Sequence, residues 1–116
     1  MPGSRVATLR GLARAICGGE LDLSPGADRD ATRAALLAIR GVGPWTADYV
    51  AMRGLGDADA FLASDLVIRQ VLGDARVPLS AREADERSQR WRPWRAYAVA
   101  HLWTSAPAVR LARAGA

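Results

Sequence analysis

Apolar positions recur at helical spacing in separate blocks, with no convincing strand pairing and no internal repeat. In the first block Val6, Leu9, Leu12, Ala13 and Ile16 share one helical face, with Ser4 placed to cap the helix and Gly18-Gly19 to stop it near Ile16. Glu20 to Ser24 reads as extended, and Pro25-Gly26 turns the chain. Asp28 or Asp30 then caps a second helix running to about Ile39. A tight Gly41-Val42-Gly43 turn separates it from a third helix, about Trp45 to Arg53, and a Gly/Asp-rich loop carries the chain to Ser64. Asp65 opens a short helix ending near Leu72, followed by a loop from Gly73 to Leu79. Ser80-x-x-Glu83 has the form of a capping box for a fifth helix to about Gln89. Pro93 stands where a helix can restart, and Tyr97, Ala98, His101 and Leu102 keep helical spacing between Trp94 and Thr104. Pro107 ends that helix, and residues 106–116, small and arginine-bearing, are expected to fray. The pattern predicts an all-α fold of about six helices.

Composition narrows the class. A chain of 116 residues, half of them apolar, is long enough for one folded domain. It contains no uninterrupted apolar run of about 18 residues, which predicts no membrane span, and no stretch with signal-peptide character, which makes the cytoplasm the default. Its single cysteine, Cys17, cannot form an internal disulfide or a four-thiolate iron–sulfur cluster; at the end of an apolar helix face it reads as a small buried residue. The formal charge is +4 and the pI about 10.5, with every basic side chain an arginine. A G+C-rich genome explains that bias. It also leaves no lysine amine to form a Schiff base with an opened sugar. The positive balance fits a nucleic-acid partner without singling one out.

The chemistry concentrates between Ile39 and Asp65. Gly41 and Gly43 let backbone N–H groups approach a ligand, and the helix that follows directs its positive end at the same spot, which suits a phosphate. Alone, such a turn is more often only a turn. Leu36-Leu37-x-Ile39 before it and Thr46-Ala47 with Tyr49-Val50 after it give two helices around a hairpin at about 36–50. This resembles the helix-hairpin-helix DNA glycosylases of base-excision repair, in which a Gly/Pro-rich loop ending in Asp follows the hairpin; here Gly54-Leu55-Gly56 leads to Asp65. The similarity is closer to the AlkA-type 3-methyladenine DNA glycosylases. It rests on Gly-Val-Gly-Pro-Trp-Thr-Ala-x-Tyr from Gly41, Phe61-Leu62-x-x-Asp65, and Arg90-Trp91-Arg92-Pro93-Trp94-Arg95-x-Tyr97 through His101-Leu102-Trp103. It covers about Met1 to Trp103. Several family helices precede this segment, so the resemblance implies the C-terminal portion of an incomplete glycosylase domain at 1–105, without its N-terminal helices.

The resemblance implies a hydrolase that releases alkylated purines of the 3-methyladenine type from double-stranded DNA, in a bacterial cytoplasm at the nucleoid. By position alone Asp65 is an ordinary helix cap; the resemblance makes it the catalytic acid. Its carboxylate can stabilise positive charge on the departing deoxyribose or help deliver water, and both roles stay open. Trp45 and Tyr49, four apart, share a helix face and by themselves read as core; the resemblance places them with Trp103 in the base pocket. An alkylated purine is a cation that an aromatic face attracts, and already a good leaving group, so no strong general acid and no catalytic cofactor are expected. Trp91 and Trp94 read as structural, packing the last helix, and His101 as a satisfied buried or half-buried histidine. Gly41, Val42 and Gly43 would hold a DNA phosphate, and the carbonyls of Leu37, Ile39 and Val42 a Na+ or K+ ion. Relatives that also cut the strand carry lysine where Trp45 stands, so a monofunctional glycosylase is expected. Departures from the family are Arg40 in place of a proline before the hairpin, Ala63-Ser64 before Asp65 where a proline is usual, and no wedge to flip a base. The alternative is a truncated, non-catalytic helix-hairpin-helix fragment that binds DNA and needs the N-terminal helices for activity.

Overall fold

Side-chain caps fix where three of the helices begin. A computed structural model describes residues 3–74 and 76–106, and all regular structure among them is helical. The helices are α1 (Gly3–Cys17), α2 (Arg29–Leu37), α3 (Pro44–Arg53), α4 (Leu66–Leu72), α5 (Ala81–Ser88) and α6 (Arg95–Thr104), with a 3-10 turn at Gln89–Trp91 between the last two. Asp28 caps α2 by accepting from the Ala31 N–H at 2.8 Å. Ser80 and Glu83 form the reciprocal box at the start of α5. Each such cap satisfies amides that the helix itself leaves without partners. Ser4 does not cap: α1 already includes Gly3, so Ser4 lies within its first turn.

The chain divides into two units, Met1–Gly56 and Asp57–Ala116. In the first, Leu21, Leu36 and Ala47 form the buried core, with Leu12, Ala15, Ile39, Val42 and Val50 packed around it. Leu21 reaches the core because the chain folds back at the end of α1. The Glu20 and Leu21 amides both donate to the Ala15 carbonyl, at 3.0 and 3.1 Å, and Gly19 takes a φ of +80°. The Ala27 N–H to Ser24 carbonyl bond closes the turn expected at Pro25-Gly26.

The face expected for α1 is corrected in part. Val6 and Leu12 are half-buried as expected, but Leu9, Ala13 and Ile16 are exposed, and Thr8, Gly11 and Ala15 are covered in their place. The small Gly11 allows close approach, since a Cβ there would sit 3.4 Å from the Ile39 methyl. Cys17, expected to be buried, is exposed because it lies on the open side of that helix.

In the second unit, Phe61 and Leu62 from the loop, Ile68 from α4, Ala84 and Ser88 from α5 and Val99 from α6 are buried. The loop from 73 to 79 is clasped to α4: Arg69 Nε donates to the Leu79 carbonyl at 2.6 Å, and the Leu79 N–H returns to the Arg69 carbonyl at 3.0 Å. The 3-10 turn, which apolar spacing did not predict, brings the Trp91 ring to 6.3 Å from Phe61. Trp91 is therefore a packing residue, as expected. Trp94 is only partly so: its ring lies edge-on to Tyr97 of α6 at 6.0 Å, but the residue is 59% exposed. His101 is also exposed rather than buried or half-buried, because it falls on the side of α6 opposite buried Val99. Of the expected frayed tail, Ala106 is buried and 107–116 lie outside the described residues.

Candidate active site

The hairpin is built by backbone bonds that leave little freedom. The Ile39 N–H donates to the Leu36 carbonyl and the Val42 N–H to the Ile39 carbonyl, each at 3.0 Å. Gly41 takes a φ of +94°, and a Cβ there would collide with the Thr8 hydroxyl. That hydroxyl lies 3.0 Å from the Arg40 carbonyl and 2.9 Å from the Ser4 carbonyl, so α1 holds the turn from below. Gly43 differs from Gly41. Its backbone is extended, a Cβ on it would meet nothing within 4 Å, and its N–H has no acceptor among the described residues. It precedes Pro44 at the first position of α3, where the missing proline N–H would have had no helical partner in any case. No side chain caps this helix start. Of Gly41, Val42 and Gly43, then, Gly41 closes the turn against α1, Val42 donates within it, and Gly43 presents open backbone.

From α3 the Trp45 and Tyr49 rings stack, with centroids 4.9 Å apart and planes 13° from parallel. Trp45 keeps 40% of its surface exposed. The pair is an open aromatic face rather than a core contact. Leu37, Ile39 and Val42 bring neutral carbonyl oxygens to the turn. That of Leu37 is among the last carbonyls of α2, which lack helical donors, while that of Ile39 accepts one N–H and keeps a second lone pair. Such a set suits a hard monovalent ion. Among the described residues no group of three or more His, Cys, Asp or Glu could hold a metal.

In the second unit Asp65 is the N-cap of α4. The residue is 9% exposed, and its carboxylate accepts from the Ile68 N–H at 3.0 Å. Trp103 lies on α6, half-buried. The loop that ends at Asp65 is held by contacts that sequence reasoning missed. Asp59 accepts from Arg95 Nε at 3.0 Å and from Arg92 Nη1 at 2.7 Å, and the Ala96 N–H donates to the Ala58 carbonyl at 2.9 Å. Arg95 also bonds Ser88 Oγ at 3.3 Å. Burial works against the Asp59 charge, but the hydrogen bond and charge of Arg95, reinforced by Arg92, outweigh it and hold the carboxyl below its ordinary value. The local signal for this clamp was the arginine spacing in Arg92-Pro93-Trp94-Arg95, whose acidic partner lies more than thirty residues away.

The first unit's tight hairpin between two helices, and the second unit's helix-capping aspartate at the end of a buried loop, are each consistent with an incomplete helix-hairpin-helix glycosylase domain. No family model matches the chain. Over 105 residues it is 47% identical to the "Probable bifunctional transcriptional activator/DNA repair enzyme AlkA" of Mycobacterium tuberculosis, covering 90% of the chain and 21% of that protein. It is 36% identical over 104 residues to "DNA-3-methyladenine glycosylase 2" of Escherichia coli, covering 89% and 35%. To the "DNA-3-methyladenine glycosylase" of Bacillus subtilis it is 36% identical over 99 residues, covering 80% and 32%. Over most of its length the chain is similar to AlkA-type DNA-3-methyladenine glycosylases, and it spans 21–35% of the length of these relatives. None of its described helices is long and apolar enough to cross a membrane.

Proposed function

We propose that this chain carries the DNA-gripping hairpin and the catalytic carboxylate of a monofunctional base-excision glycosylase acting on alkylated purines in duplex DNA. Gly43 and the start of α3 take one backbone phosphate and thereby set the position of the duplex without reading its sequence. Carbonyl oxygens of Leu37, Ile39 and Val42 would hold a Na+ or K+ ion, whose charge would offset that of the phosphate. The stacked Trp45 and Tyr49 offer an aromatic face to a cationic base, and Trp103 is a separate candidate for such a contact.

The reaction asks little of a general acid. As the bond from C1′ to the base nitrogen breaks, its electron pair goes to the alkylated purine, which leaves neutral. Positive charge remains on the deoxyribose, where the Asp65 carboxylate stabilises it; water then adds to C1′ and gives up a proton. The products are a free alkylated base and an abasic site. With no lysine in the chain the sugar forms no Schiff base, and the strand stays intact.

Asp65 carries this reading: a buried carboxylate, fixed on a helix-start amide, at the end of a clamped loop. The test is release of 3-methyladenine from methylated duplex DNA by the 116-residue chain beside Asp65→Asn. Release by the first and not by the second is the expected result; equal release by both would remove Asp65 from the mechanism.

A second reading is a backbone-binding module without base release of its own. The exposed Trp45 favours it, since a base pocket has to shield its occupant from water. Salt-sensitive duplex binding by a well-folded chain that releases no base would select it.

A further inference from the structure

Arg40 occupies a position with two unusual features. Its backbone is fixed, because its carbonyl lies 3.0 Å from the Thr8 hydroxyl and the next residue, Gly41, is packed directly against Thr8. Its side chain is not: it is exposed, and the guanidinium makes no ion pair or hydrogen bond among the described residues. The two arginines of α2 differ from it, Arg29 bonding the Leu55 carbonyl and Arg33 pairing with Asp48. Arg40 also rims a cleft of about 530 Å³ lined by Ser4, Ala7, Thr8 and Gly41, with no carboxylate among the lining residues. A cation anchored at its backbone, open at its tip and uncompensated by acids is arranged for an anion.

We propose that Arg40 and the cleft it rims bind a second DNA phosphate, adjacent on the same strand to the one taken by Gly43 and the start of α3. This rests on the hairpin gripping DNA, as above, and adds to it. The open glycine backbone supplies a neutral contact to one phosphate, and Arg40 supplies a full charge to its neighbour. Thr8 is a positioning residue here, since it sets where the side chain of residue 40 starts. The guanidinium also replaces a condensed counterion, which makes the contact visible in the salt dependence of binding.

The test is binding of the 116-residue chain to an unmodified duplex between 50 and 200 mM salt, for the chain itself, Arg40→Ala, Arg40→Lys and Arg82→Ala. Arg82 lies on α5 and pairs with Glu86, so its removal controls for net charge. Losing one phosphate contact lowers the slope of log affinity against log salt by about 0.9, so Arg40→Ala should lose ~3.5-fold less affinity across that range than the parent chain. Arg40→Lys and Arg82→Ala should keep the parent slope. A parent slope retained in Arg40→Ala, or lost equally in Arg82→Ala, would overturn the second phosphate site and leave the hairpin reading standing. Absence of salt-dependent binding by the parent chain would remove both. Thermal unfolding of each variant establishes that it is folded, as expected for substitutions at exposed positions.

Discussion

The Asp59 carboxylate and the Arg95 guanidinium meet at two points, Nε to Oδ1 at 3.0 Å and Nη2 to Oδ2 at 3.4 Å. Arg95 is largely buried, with its side chain 11% exposed, so the pair ties the loop before Asp65 to the first turn of α6 away from full solvent screening. Removing one partner would leave the other partly buried and under-satisfied. Asp59→Ala is expected to destabilise the chain by about 2 kcal/mol, in the range for charged hydrogen bonds. Arg95→Lys should also destabilise, since an ammonium cannot reproduce the two-point contact. Denaturant midpoints at constant slope measure both, and a loss below about 0.5 kcal/mol for Asp59→Ala would contradict the clamp.

The same carboxylate predicts a pH dependence. Its folded pKa lies below the ordinary 3.8, first against the opposing effect of burial and then through Arg95 and Arg92. A depressed folded pKa stabilises the protein above the unfolded value, and the gain is lost as pH falls through the folded value. The difference in thermal midpoint between the parent chain and Asp59→Asn should be steady from about pH 7 to pH 5 and shrink below about pH 4. A difference that widens in acid would reverse the sign and refute the assignment.

Asp65 caps α4, and two substitutions separate that role from the chemical one proposed for it. Asparagine caps a helix about as well as aspartate, whereas alanine gives up about 1 kcal/mol. Asp65→Asn should unfold with the parent chain yet release no base, while Asp65→Ala should lose both stability and release. Parent-level base release from Asp65→Asn would show that the charge is not needed.

Gly41 and Gly43 look alike in sequence and should fail in opposite ways. Alanine at position 41 meets a φ of +94° and the Thr8 hydroxyl, so Gly41→Ala should destabilise by about 1–2 kcal/mol, and part of that should return when Thr8→Ala is added. Gly43 has extended backbone and open space, so Gly43→Ala should fold within about 0.5 kcal/mol of the parent chain. Its methyl group would nevertheless stand where a phosphate approaches, and duplex affinity should fall. Unfolding midpoints and binding isotherms of the three variants decide between structure and recognition at each glycine.

The caps at Asp28, Asp65 and Ser80-Glu83 were legible because a helix start is a local chemical event written in three or four residues. The hairpin was legible for the same reason, and so was the shared helix face of Trp45 and Tyr49, which needs only a four-residue spacing; their open stack was not. What sequence did not disclose depends on distant partners. The face of α1 was misjudged because the reversal at Gly18-Gly19 and the close approach of Ile39 to Gly11 favour its small residues over its large ones. Trp94 was expected to pack the last helix and His101 to be buried or half-buried, yet both are exposed while Val99 faces inward. The Asp59 clamp joins positions 36 residues apart, and nothing near Asp59 announces it.

The loop ahead of Asp65 buries Ala60, Phe61 and Leu62, and Leu62 has no exposed surface at all. Although it lacks regular structure, it belongs to the interior of its unit as fully as any helix. The Asp65 N–H, which donates to the Leu62 carbonyl at 3.0 Å, should therefore exchange with solvent deuterium only through openings that also disrupt this interior. Ordinary surface loops open at almost no free-energy cost; this one can open only with the unit around it. Were the proposed chemistry to take place at Asp65, its carboxylate would meet the charge on the sugar from a position set by the buried loop.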